Sequence, residues 1–146
     1  MMPQRIAYAH ERQVVGTLLL NLLFAIFEHN EPYLKRHFGA SLETMTVGIA
    51  VLLAQMASRP ASAVRVAQLL GVPKRMAANK LRELEAAGAV IKQGGHYLVN
   101  YEIFATPDAQ TAAHINGLKG AILVACEKLG HSDRQQRRGD ADPPGS

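Results

Sequence analysis

The segment 64–100, VRVAQLLGVPKRMAANKLRELEAAGAVIKQGGHYLVN, carries the side chains best suited to recognition chemistry. Pro73, Lys74, Arg75, Ala78, Asn79 and Arg82 remain on one face once Ala77, Leu81 and Leu84 are assigned inward at helical spacing. Lys and Arg suit phosphate oxygens or the acceptor edge of guanine, and an Asn amide suits adenine. Arg65 precedes this face, and Lys92 and His96 follow it around Gly94-Gly95. The plain alternative is a solvated helix start and a solvated turn. Local charge argues against it: segment 59–92 has seven basic residues (Arg59, Arg65, Lys74, Arg75, Lys80, Arg82, Lys92) against two acids, Glu83 and Glu85, an excess that attracts a duplex.

Other chemistry is poorly served. No Ser or Cys stands in a nucleophile pattern with His, no Gly-rich loop could cradle a phosphate, and no carboxylates are spaced on one face. The chain is therefore not expected to be an enzyme, and no cofactor is implied. His10, His29, His37, His96, His114 and His131 include no i, i+4 pair and have no companion cysteine, so metal ligation is not expected. Cys126 is the single cysteine, which excludes an internal disulfide; its place beside a helical seam predicts a buried, inert thiol. With no signal-peptide pattern, this fits a reducing, cytoplasmic setting.

Several elements must position the recognition face. The pattern 6–29 is apolar nearly all round, through Val15, Leu18, Leu19, Leu22, Phe24, Ile26 and Phe27. Such a helix must be buried on most sides, and a second copy of the chain is its simplest cover. Its apolar run 14–27 is too short to span a bilayer, so no membrane partner is expected. Glu31-Pro32 breaks the helix, and a short amphipathic piece follows, ending at Gly39. Ser41 is placed to cap a helix with the stripe Met45, Ile49, Leu52, Leu53 and Met56, ended by Arg59-Pro60. Two shorter helices follow, closed by Gly71 and Gly88, with Pro73 in the first turn of the second. Gly94-Gly95 between AVIKQ and HYLVNY predicts a tight hairpin. Thr106-Pro107 then opens a last helix to about Leu129, with a heptad-like seam at Ile115, Leu118, Ile122, Ala125 and Leu129. From His131 the chain turns polar, and 131–146 is expected to be a disordered tail. The length suits one domain, 48% of residues are apolar, and the net charge of +4 leans weakly toward an acidic partner.

Helices followed by a two-stranded hairpin make the order of a winged helix-turn-helix. Within it Val66 and Ala67 lie on the first helix of the pair, Gly71 makes the sharp turn, and Val72 plugs the gap between the helices. Lys80 stands where an apolar residue is common, so its stem should lie at the helix edge with the ammonium in water. The whole chain, over about residues 5–130, resembles the MarR family of bacterial transcription regulators, and LLGVPKRMAANKLRELEAAGAV carries most of the resemblance.

The resemblance implies a mainly α fold. A single domain over 1–130 would hold a DNA-binding part at 41–101, a small β-hairpin wing, and dimerisation helices at 6–29 and 108–129. Leu18, Leu22, Ile115, Leu118 and Ile122 would face the second chain. The implied function is that of a homodimeric, sequence-specific regulator of transcription, of repressor type. Its recognition helix 73–87 would lie in the major groove of double-stranded DNA, and its half-sites about 34 Å apart. The family's ligand pocket lies between the dimer helices and the DNA-binding part, but no pocket motif is matched here, so a small-molecule effector stays unknown. The hairpin also lacks the family's wing-tip arginine and offers only Lys92 and His96. A winged helix used for protein interaction, with no DNA target, is the rival expectation.

Overall fold

The computed structural model describes residues 6–34, 37–104 and 108–141. The chain is mainly helical, with one two-stranded antiparallel sheet. The elements are α1 (Ala9–His29), a 3₁₀ turn (Glu31–Tyr33), α2 (Phe38–Met56), α3 (Ala63–Leu70), α4 (Lys74–Ala86), β1 (Val90–Gln93), β2 (His96–Val99), α5 (Tyr101–Phe104) and α6 (Ala109–Ala141). Two compact units make up the chain: Met1–His29 with Ala109–Ser146, and Asn30–Asp108.

The unit Asn30–Asp108 holds the main core. Val47, Val51, Val66 and Leu81 are fully buried in it, beside Ala61, Ala77 and Val90. The small alanines let α2, α3 and α4 approach closely. α2 is also long and apolar enough, by length and composition, to cross a membrane; Val47, Ala50, Val51 and Ala54 on it belong to this core. Its start corrects two expectations. Gly39 does not stop a helix and Ser41 does not cap one: α2 begins at Phe38, His37 holds the extended cap position, and the Ser41 amide donates to the His37 carbonyl at 2.8 Å. Ser41, Thr44, Met45 and Val47 are all buried, and burial of that face outweighs the weak local signals of a Gly and a Ser.

The hairpin forms as predicted, with Val90 opposite Val99 and Gln93 opposite His96. Three ties fasten it that the local pattern does not announce. Ala61 bridges to Tyr97, whose amide donates to the Ala61 carbonyl at 2.9 Å. The Val99 amide donates to Gln55 Oε1 at 2.8 Å, and Asn100 Nδ2 donates to the Gly88 carbonyl at 2.8 Å.

In the other unit, α1 and α6 run antiparallel and close on Val14 and Ala125, both buried. They share a cleft of about 500 Å³ lined by Val14, Leu18, Val124 and Ala125 with polar Gln13 and Asn21. Leu18, Leu22 and Leu118 are half-buried, whereas Ile115 and Ile122 are each 43% exposed, as are Leu19, Phe24 and Leu123 to larger extents. The predicted cap at Thr106-Pro107 lies outside the described residues. α6 does not end near Leu129: the part of the expected tail from His131 to residue 141 is helical, because Arg and Gln are good helix formers and no proline occurs between Pro107 and Pro143. Cys126 is exposed, not buried; Ala125, one position earlier, takes the place facing α1.

His29, the last residue of α1, stacks on His114 of α6, with ring centroids 4.1 Å apart and planes within 6°. Burial first, and then the charge of His29, lower the His114 pKa below its usual 6.5. The unfolded chain therefore takes up a proton at a pH where the folded chain does not. The contribution to stability is complete above pH 6.5 and is lost as the pH falls from there through the lowered folded value. The urea midpoint should drop across that window in the parent and drop less in His114→Phe. Equal slopes in the two proteins would contradict this.

Candidate nucleic-acid interface

α3 and α4 carry the exposed basic face, and their ends are locally determined. The Ser62 hydroxyl caps α3 by accepting from the Arg65 amide at 3.2 Å. Gly71 closes α3 with φ +65° and ψ +34°, and the Val72 amide reaches back to the Ala67 carbonyl at 3.1 Å. That left-handed turn needs a glycine. Pro73 falls one place earlier than the first helical position; its φ of −59° and ψ of +139° make it the extended residue from which α4 leaves at Lys74.

Within α4, Ala77, Leu81 and Leu84 are buried, as the helical spacing predicts. Pro73, Lys74, Arg75, Asn79 and Arg82 are exposed and Ala78 is half-buried. Arg75, Asn79 and Arg82 stand at i, i+4 and i+7, which places them along one stripe. Arg65 is exposed on α3, and Lys92 and His96 are exposed on the hairpin. Among the described residues, none of Arg65, Lys74, Arg75 or Lys92 is held in an ion pair. Lys92 instead sits with its ammonium 5.7 Å from the centre of the Tyr97 ring, a cation–π contact that steadies it on the hairpin. His96 Nδ1 lies 3.2 Å from the Gly94 carbonyl oxygen.

Lys80 is the basic residue of α4 that leaves this set. Its ammonium is 3.6 Å from Glu43 Oε2 and 3.5 Å from Glu83 Oε2, and its side chain is only 11% exposed. It is a tie between α4 and α2, and not the free head in water that its edge position suggests. A second pairing was not expected at all. Arg82 Nη2 donates to Asn79 Oδ1 at 2.8 Å, and Arg82 Nε lies 3.4 Å from the Ala78 carbonyl. The i, i+3 spacing is the signal that could have disclosed it.

A groove of about 450 Å³ lies between α2 and α3, floored by Ile49, Leu53, Leu69 and Leu70, with Arg59 and Arg65 among its walls. The arrangement offers exposed cations and amide donors on α4, α3 and the hairpin. Set against known proteins, the chain matches no family model, no curated protein and no solved structure.

Proposed function

We propose that Asn30–Asp108 is a winged helix-turn-helix of MarR type, and that the chain is a homodimeric, sequence-specific DNA-binding regulator of transcription, of repressor type. The observation that carries this reading is the stripe Arg75, Asn79 and Arg82. It is exposed on the helix whose opposite face, Ala77, Leu81 and Leu84, builds the core. A helix so anchored can enter a major groove without unfolding anything. Arg75 then meets base edges, while Lys74, nearer the helix start, meets phosphate. Arg75→Ala should weaken binding to a preferred site by about 1–3 kcal/mol and relax the preference there. Lys74→Ala should weaken binding to all duplexes alike and flatten the salt slope by about one unit. An Arg75→Ala protein that binds every duplex as tightly as the parent would remove the reading.

The two-fold assembly rests on the helices α1 and α6. Their exposed Leu19, Leu20, Phe24, Ile115, Ile122, Leu123 and Val124 form more apolar surface than a solitary two-helix unit tolerates in water. Light scattering should return twice the chain mass of 15.8 kDa. Ile122→Asp, at a position already 43% exposed in the single chain, should return a monomer that still folds. A monomeric parent would contradict the assembly.

One observation favours a second reading, a protein-interaction module without a DNA target. Leu53 and Leu69, which line the groove, are 60% and 50% exposed, and Met56 of α2 is 72% exposed. Exposed apolar side chains of this kind suit a protein partner.

A further inference from the structure

The Arg82 side chain lies back along α4 toward the helix N-terminus, the direction in which helical side chains lean. Three residues on, Glu85 is not in an ion pair with it among the described residues. A guanidinium carries donors only, so the Asn79 group that faces Arg82 Nη2 at 2.8 Å has to be the amide oxygen, and Nδ2 is turned away from it. The second contact, Nε to the Ala78 carbonyl, holds the guanidinium where it can do this.

We propose that Arg82 positions Asn79, and that the pair reads the acceptor edge of guanine in preference to adenine. This rests on the duplex-binding reading above. Reading adenine by an Asn takes an amide that accepts from N6 and donates to N7 at once. Arg82 holds Asn79 Oδ1 toward itself, so the group that Asn79 turns away from Arg82 is Nδ2 with its two N–H donors. Arg75, one turn earlier, adds donors only. The stripe Arg75, Asn79 and Arg82 is thus a row of donors. Guanine shows it two acceptors, N7 and O6. Adenine shows it one acceptor and an amino group that would meet N–H against N–H. This replaces the adenine contact that an isolated Asn79 suggests.

Selection of bound duplexes from a random pool, with the full chain, tests the assignment. The Asn79-dependent base pair is the one whose preference disappears in Asn79→Ala. In the parent that position should be guanine. In Arg82→Met the amide oxygen is released, and the preference should move from guanine to adenine by roughly tenfold. Arg82→Ala serves as a second variant, and both should keep the parent's thermal midpoint because Arg82 is exposed. Adenine at that position in the parent, or an unchanged preference in both Arg82 variants, overturns this inference alone. A parent that enriches no sequence overturns the duplex-binding reading and the inference with it.

Discussion

Leu81→Ala should lower the free energy of unfolding by about 3–5 kcal/mol, in the upper part of the range for buried leucines. Leu81 has no exposed surface and is the largest fully buried side chain of the core in Asn30–Asp108. The loss combines the transfer energy of the deleted carbons with the cost of the cavity they leave. Many neighbours of that core are alanines, including Ala50, Ala54, Ala67 and Ala77, and short side chains cannot swing in to fill a void. The cavity should therefore persist. Urea unfolding checks this, with the midpoint lowered and the slope unchanged. A loss below about 1 kcal/mol would mean that the core relaxes freely, which this packing does not allow. Arg75→Ala, exposed on the same helix, should stay within about 0.5 kcal/mol of the parent in the same experiment.

The contrast between Leu81 and Arg75 shows how the sequence could be read here. Helical spacing alone divides α4 into an inward set and an outward set, and the burial of Ala77, Leu81 and Leu84 follows that division. Gly71 and Gly94-Gly95 are equally legible, because only particular backbone conformations turn a chain so sharply; their φ values are all positive. What could not be read are contacts between distant residues. The tie from Gln55 to Val99 spans 44 positions, and nothing in either neighbourhood points to the other. The same holds for Ala61 and Tyr97, and for Lys80 with Glu43. The start of α2 departs from its local pattern for a different reason. Gly39 and Ser41 are local signals of modest strength, and burial of Ser41 and Thr44 overrides them. In the stripe Arg75, Asn79 and Arg82, residue types suggested the proposed chemistry. Only the side-chain geometry showed that Asn79 turns its amide oxygen to Arg82.

The second large effect is that of salt. Arg65, Lys74, Arg75, Arg82 and Lys92 are exposed cations on the proposed DNA-facing elements of the chain. A duplex carries a condensed layer of counterions, and each phosphate neutralised by the protein releases part of that layer. A dimer that neutralises about six to ten phosphates should therefore lose affinity by roughly 10³–10⁵-fold between about 50 and 200 mM salt. A protein-interaction module would show no such slope against DNA. The most direct measurement is a titration of the unmodified full chain against a random-sequence duplex across that range. Phosphate-driven duplex binding requires affinity at low salt that falls linearly, log against log, as salt rises. No binding at the lowest salt, or an affinity that salt leaves unchanged, would contradict it.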